Sequence, residues 1–369
     1  MFVSDLPTPQ VLIDRARLMR NIDRAQALAS AAGMRLRPHA KTHKSPTIAR
    51  WQLERGAVGI CCAKLGEAEV FVDAGIRDIR LPYPVQPAHA PRLLALADRA
   101  AISIIVDHLD VARGWSDAMQ VAGRTLDVLV KVDVGFHRCG IDPEDDPLAF
   151  IASIASMKGL RLRGLLSHAG HGYQATSEDE LCAVAQREAA TLTSLRERAL
   201  GAGIPLDEMS VGATPTLRFS ARQHGLTELR PGNYVYCDRT QVALGSASLD
   251  DCALTVLATV VSTHPGRLIL DAGSKTLTND AARGIAAAPG YGTVLNPDGS
   301  VDDSLQIERL SEEHATVRVI GPARRKPGDR LRVLPNHACT VSNLVDVVRL
   351  VDGDRVVDTL PVAARGRIQ

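Results

Sequence analysis

No stretch of this 369-residue sequence holds the roughly 18 consecutive apolar residues that a membrane-spanning helix needs. The opening MFVSDLPTPQVLID has neither the basic leader nor the apolar run of a secretory signal. A cytoplasmic protein with no membrane partner is expected. An excess of one charge is missing as well: the formal net charge is +1, which leaves no general field to attract nucleic acid or an anionic surface. Any charged substrate must be handled locally, and the partner is expected to be a small molecule. The seven cysteines are odd in number and scattered, with Cys61 and Cys62 adjacent, so they do not read as the disulfide framework of a secreted domain. Lysine is scarce: of 43 basic residues only 7 are lysines and 36 are arginines, so each lysine merits individual inspection. Internal repeats and low-complexity tracts are absent too.

What is present is a globular balance, 45% hydrophobic and 23% charged, which predicts a folded chain rather than a disordered one. At roughly 150 residues per domain, the length suggests one large unit with a satellite. Short runs rich in β-branched residues alternate with helical stretches such as 45–55 and 180–201. The strands are read at 35–41, 59–63, 79–84, 102–107, 127–135, 161–168, 208–214 and 228–236. Eight strand-then-helix units predict an α/β fold with a closed parallel (β/α)8 barrel of the TIM type, because a doubly wound sheet usually stops at five or six strands. After Asp238 the segments LTVLATVVSTH, RLILDAG, ATVRVIG, DRLRVLPNHACT and RVVDTLPVAARG read as strands joined by turns, without helices between them. The expected division is a barrel over 14–238 and a mainly-β domain made of 1–13 with 239–369.

Catalytic groups of such barrels stand at the carboxyl ends of the strands. There the sequence places Lys41, Arg138, His168, Gly212, Thr214, Arg230 and Gly232, residues an apolar barrel does not need. A lysine desolvated near arginines has a lowered pKa, which frees its amine to form an imine with a carbonyl. Lys41 fits that description, and equally fits a solvated lysine in a basic loop beside His39, His43 and Lys44. The turn SVGATPT and the Pro-Gly after Arg230 offer backbone N–H groups to an anion such as phosphate, although such turns more often serve as helix caps. His337 and Cys339 in LPNHACT point to one side if the chain is extended, and imidazole with thiolate suits zinc. A buried structural pair is the commoner meaning of so short a motif. His168, His171 and Tyr173 in SHAGHGY offer an acid or a base, or polar core packing.

Taken together, TPQVLIDRARLMRNI, LRPHAKTHK, GICCAKLGEAE, KVDVGFHRCG, HAGHGY, SVGATPT, ELRPGNYVY, DAGSKTLTND and PNHACTVSNL resemble the D-serine dehydratase and D-threonine aldolase family of the alanine-racemase-like pyridoxal-phosphate enzymes. The similarity runs from about residue 6 to the end. It implies that Lys41 carries pyridoxal 5'-phosphate and that Arg138 lies beside the coenzyme's phenolic oxygen. Gly212, Ala213, Thr214 and the Gly232 backbone are implied near the phosphate, Arg230 at the pyridine nitrogen, and His337 with Cys339 on a divalent metal, zinc by preference with manganese or cobalt as substitutes. Tyr173 and Tyr234 join the coenzyme-binding set, and His168 and His171 join Lys41 as catalytic candidates. Lys131, seven residues before Arg138, is left without a role. A homodimer is also implied by the family.

Three departures bear on the reaction. Where the aldolase branch tends to carry Tyr-His-Gly, Gly-Gly-Thr and His-x-Asp, this sequence has His168-Ala169-Gly170, VGATPT and His337-x-Cys339. They point toward dehydration of D-serine, D-threonine or 3-hydroxyaspartate to a 2-keto acid and ammonia. Retro-aldol cleavage is the alternative, followed by racemisation or a non-catalytic coenzyme carrier. A carrier would lack both the β domain and the H-x-C motif.

Overall fold

The structure is a computed structural model that describes residues 1–321 and 325–369. Eight parallel strands curl into one sheet: β2 (Arg35–Leu36), β3 (Ile60–Cys61), β4 (Asp78–Pro84), β5 (Ala101–Val106), β6 (Leu126–Lys131), β7 (Leu160–Leu166), β8 (Glu208–Val211) and β9 (Glu228–Leu229). From β3 to β9 each pairs with its sequence neighbour, and β2 pairs with β9. Backbone bonds from Val58 N to Leu36 O and from Cys61 N to Pro38 O, with a bridge between His39 and Cys61, join the two ends of the sheet. All eight strands expected from the sequence are therefore present, with the (β/α)8 arrangement.

The connecting helices are α1 (Arg15–Ala31), α2 (Pro46–Glu54), α3 (Leu65–Asp73), α4 (Ala90–Ala97), α5 (Leu109–Val121), α6 (Pro147–Ser156) and α7 (Glu178–Gly201). Their starts follow from local chemistry. Asp14 accepts from Arg17 N at the head of α1, and Ser177 accepts from Glu180 N at the head of α7, whose first turn carries Glu178, Asp179 and Glu180. Buried Phe71, Trp115, Leu165 and Leu192 belong to the main apolar cluster, which runs continuously from the barrel into the second domain.

Several strands are shorter than expected, and two of them stop where the chain turns at the mouth of the barrel. The 35–41 run stops at Leu36, and Lys41 sits in a 3-10 turn over Ala40–Thr42 whose cap is His39. The 228–236 run stops at Leu229, because Pro231 has no N–H for a ladder and Asn233–Val235 turns into a 3-10 helix. The two turns lie side by side: His39 N donates to Pro231 O at 2.9 Å.

The second sheet has nine strands. β10 (Leu254–His264), β11 (Arg267–Leu270), β14 (Ala315–Val319), β13 (Val301–Leu310), β12 (Thr293–Leu295) and β15 (Arg330–Leu334) close on themselves as an antiparallel barrel, since β10 pairs with both β15 and β11 around a bulge at Val260 and Ser262. On the edge opposite β15, beside β11, β10 also pairs with β1 (Gln10–Asp14), which pairs in parallel with β16 (Val347–Asp352), and β17 (Arg355–Pro361) completes the sheet. The helix-free expectation needs one correction: short α-helices cover Arg239–Ala243, Ser274–Leu277 and Ala338–Ser342. Among the described residues no helix is long and apolar enough to cross a membrane, and all seven cysteines are free.

The interior of the parallel barrel is not purely apolar. Arg37 donates to Glu228 at 2.8 Å, Arg80 to Glu228 at 2.5 Å and to Glu208 at 2.7 Å, and Ser210 donates to Glu228 at 2.5 Å. Glu228 is fully buried. Burial alone would raise its pKa, but Arg80 and Arg37 with the Ser210 hydroxyl hold it down to about 2. Glu228→Ala strands two buried guanidinium groups, so a loss of about 3–5 kcal/mol in denaturant unfolding is expected. The sign in acid follows from the depressed carboxyl. Its stabilisation is complete above the unfolded value of about 4.3 and is lost as pH falls toward about 2. Acid unfolding followed by circular dichroism should be less steep over that window in Glu228→Gln.

Candidate active site

A cavity of about 240 Å3 opens where the carboxyl ends of the barrel strands meet the β domain. Eleven of the thirteen residues singled out from the sequence line it: Lys41, Arg138, His168, Tyr173, Gly212, Ala213, Thr214, Arg230, Gly232, His337 and Cys339. Two do not. The Tyr234 ring turns away and its hydroxyl accepts from Gln52 at 2.9 Å, while its backbone N donates to Thr214 Oγ1 at 3.2 Å. His171 stands behind the lining, half-buried against Gly135.

The solvated-loop alternative for the KTHK segment does not describe this geometry. His43 and Lys44 are buried, and Lys44 pairs with Glu67 at 2.8 Å. Lys41 faces the cavity with no carboxylate partner among the described residues. Desolvation lowers its pKa, opposed by Cys339 and assisted by Arg138 and Arg230, which favours the neutral amine. Lys131 also lines the cavity, and Asp133, two residues on, is committed to the backbone N–H groups of Gly135, Phe136 and His137. Burial and Arg230 lower Lys131 to about 7.

His168 Nδ1 is bonded to the carbonyl of Gly212. A carbonyl only accepts, so Nδ1 carries the hydrogen and Nε2 keeps a free lone pair. Burial, with Lys41 and Lys131 nearby, keeps the ring neutral. Phe136 meets it edge-on at 5.6 Å and also lies under the Arg138 guanidinium at 4.9 Å.

Arg230 forms the floor of the cavity. Its Nε donates to Ser210 Oγ at 2.7 Å and its Nη2 to the Ser167 carbonyl. Ser210 passes its own hydrogen to Glu228, so the cavity floor is joined to the buried charge cluster below. Gly212 permits this packing: a Cβ there would lie 2.7 Å from the Arg230 carbonyl oxygen. A Cβ on Gly232 would come within 3.0 Å of Thr42 Oγ1. The bare backbone at these glycines, the Thr214 hydroxyl, an unpaired amine and an arginine floor fit pyridoxal phosphate, whose phosphate and ring oxygen need donors and whose aldehyde needs an amine.

The metal pair is reached by another route than the extended chain expected. His337 caps the short helix Ala338–Ser342, and Cys339 lies in its first turn. Their side chains still meet, and Cys339 Sγ is 3.2 Å from Thr42 Oγ1 and 3.5 Å from Asn233 Nδ2. Asp280 Oδ2 stands 3.5 Å from His337 Nδ1, an orienting contact of the kind metal-bound imidazoles use. Burial works to lower His337, yet Cys339 and Asp280 raise it to about 11, while His337 overcomes burial to lower Cys339. No group of three or more His, Cys, Asp or Glu suited to a metal occurs among the described residues. The donor set is thus one imidazole and one thiol, which fits a borderline-soft ion and leaves positions open.

Sequence reasoning passed over His39, Asn233 and Arg283, which also line the cavity. His39 lay within the RPHAKTHK motif, and its Nδ1 accepts from Lys41 N. Asn233 Oδ1 is buried without a partner. Arg283 comes from a loop with no periodic signal.

Comparison with known proteins agrees with this geometry. Residues 13–240 match the alanine racemase N-terminal domain family, and residues 253–351 match a serine dehydratase domain. The chain is 36% identical to the D-threo-3-hydroxyaspartate dehydratase of Delftia sp. (strain HT23), covering 96% of each chain. It is 35% identical to the D-threonine aldolase of Arthrobacter sp, covering 97% of this chain and 93% of the relative. The solved structure of the Delftia enzyme superposes with a TM-score of 0.92 at 34% identity over 98% of both chains. With both the barrel and the β domain matched throughout, the chain belongs to the D-serine dehydratase and D-threonine aldolase family of lyases, on the alanine-racemase-like fold.

Proposed function

We propose that this chain is a lyase dependent on pyridoxal phosphate and a divalent metal, dehydrating a D-configured 3-hydroxy amino acid (D-serine, D-threonine or 3-hydroxyaspartate) to a 2-keto acid and ammonia. The observation that carries the reading is the convergence on one cavity of the unpaired Lys41 amine from the barrel and the His337–Cys339 pair from the β domain. Relatives support it: besides the Delftia dehydratase itself, a cysteine mutant of that enzyme is described in a metal-free form, which speaks for an ion there.

Pyridoxal phosphate, when bound, makes the α-hydrogen of an attached amino acid acidic. A divalent ion on His337 and Cys339, zinc by preference, supplies a Lewis acid for the 3-hydroxyl, which otherwise leaves from an unfavourably high pKa. The chain's own groups do the rest. Lys41 would hold the coenzyme, and its Nζ would take the α-proton, a role suited to its lowered pKa. The backbone at Gly212, Ala213, Thr214 and Gly232 receives the phosphate, with Tyr234 contributing only through its main-chain bond to Thr214. Arg138 would meet the coenzyme's ring oxygen, and the fixed charge of Arg230 would discourage a proton on its ring nitrogen. Tyr173, raised by burial, stays protonated and remains a donor. In the retro-aldol reading His168 would offer its free Nε2 to take the proton of the substrate's 3-hydroxyl, while His171 does not line the cavity.

The barrel over 14–238 is the coenzyme-binding unit in this reading, and 1–13 with 239–369 is the metal-bearing unit. A homodimer in a reducing cytoplasm completes it, on the family resemblance and seven free cysteines. Retro-aldol cleavage is the second reading, favoured by the 35% identity to a D-threonine aldolase.

Protein supplied with pyridoxal phosphate should show a yellow absorbance band that Lys41→Ala lacks; a band that survives the substitution refutes the assignment. Chelation should cut turnover by roughly two orders of magnitude or more while the band remains, since a Lewis acid is worth several kcal/mol. With D-threonine as substrate, 2-ketobutyrate marks dehydration, whereas acetaldehyde with glycine marks cleavage.

A further inference from the structure

The cavity carries more positive charge than the coenzyme requires. Its lining includes Lys41, Lys131, Arg138, Arg230 and Arg283 and, among the described residues, no aspartate or glutamate. Four of the five have an occupation: Lys41, Arg138 and Arg230 serve the coenzyme, and Lys131 is buried in the barrel wall near Arg230 and Glu188. Arg283 has none. It lines the cavity beside His337 and Cys339, and it also lines the adjoining crevice with Asp238 and Asp280.

Those two carboxylates are committed elsewhere. Asp238 accepts from Asn233 Nδ2 at 2.5 Å, Ala338 N at 2.9 Å and Gln241 N at 3.0 Å. Asp280 accepts from Thr340 Oγ1 at 2.6 Å and Thr278 Oγ1 at 2.9 Å and orients His337. Among the described residues neither forms an ion pair with Arg283. The loop that presents Arg283 is tied down on both sides. Asn336 Nδ2 donates to Asp280 O and Gly290 O, each at 2.9 Å, and Arg239 donates to Pro289 O at 3.0 Å. Ala286 N donates to Ala243 O at 3.0 Å. Gly284, at φ +111°, packs so closely that a Cβ would lie 2.8 Å from the Ala243 Cβ.

We propose that Arg283 is the specificity-determining residue of this cavity, binding a carboxylate on the substrate's Cβ and so selecting a 3-hydroxy dicarboxylic D-amino acid over D-serine and D-threonine. The inference rests on the lyase reading. If the His337–Cys339 end of the cavity receives the 3-hydroxyl, a second carboxylate on the same carbon comes to lie beside that pair. Arg283 is the cation there, and its planar fork matches a carboxylate in two hydrogen bonds. Because the side chain is exposed at the mouth, solvent screening limits its effect to a ratio of rates rather than to all-or-none turnover.

The test uses holoenzyme loaded with metal, comparing wild type, Arg283→Ala and Arg283→Lys on D-threo-3-hydroxyaspartate and on D-threonine. Calorimetric binding of D-malate, a hydroxydicarboxylate with no amine to react, is measured alongside. The ratio of kcat/KM for the dicarboxylate to that for D-threonine should fall about 10- to 100-fold in Arg283→Ala, chiefly through KM. It should recover in part in Arg283→Lys, with D-malate affinity following the same order. A wild type that prefers D-threonine, or a ratio and D-malate affinity unmoved by Arg283→Ala, overturns the inference and leaves the lyase reading intact. A loaded wild type that consumes neither substrate overturns the lyase reading and the inference with it.

Discussion

Everything at the active site rests on a carboxylate that never meets water. Glu228 lies inside the parallel barrel between the guanidinium groups of Arg37 and Arg80, and through the Ser210 hydroxyl it fixes the position of Arg230. Taking such charges out of water costs several kcal/mol per ion, and an apolar layer of similar volume would often be at least as stable. What the cluster supplies instead is position. A cation is held at the cavity floor by hydrogen bonds reaching strands β4, β8 and β9 and the residue after β2, so the guanidinium has little freedom to withdraw from the cavity.

The barrel was legible because its signal is repeated: eight short β-branched runs separated by helical stretches leave few alternatives. The site residues were legible where they broke that pattern, as Lys41, His168 and Arg230 do. The internal charge cluster was not. Arg37, Arg80, Glu208 and Glu228 sit among apolar neighbours within strands, and a period-two reading does not say which face of a parallel barrel points inward. His171 and Tyr234 misled for a related reason. Each lies within a few residues of a cavity-lining group, but a 3-10 turn rotates successive side chains by about a third of a circle, and neither turns its side chain inward.

The β domain was legible in kind but not in connection. Its strands alternate and its turns are rich in glycine and proline, yet β12, β13 and β16 were overlooked in polar stretches such as VDDSLQIERL. No local pattern could show that β10 both closes a six-stranded barrel and takes β1 beside β11 on one edge. The metal pair illustrates the same limit: His337 and Cys339 do meet, by way of a helix cap rather than a strand.

The turn that carries Lys41 is fastened directly to the segment that carries Cys339. Thr42 touches Cys339 Sγ through its hydroxyl, and its carbonyl accepts from Ser342 Oγ, although some 300 residues separate the partners in sequence. The two halves of this active site therefore depend on one seam. A barrel joined to a foreign β domain would keep its amine but lose the clasp that sets the amine's distance from the thiol.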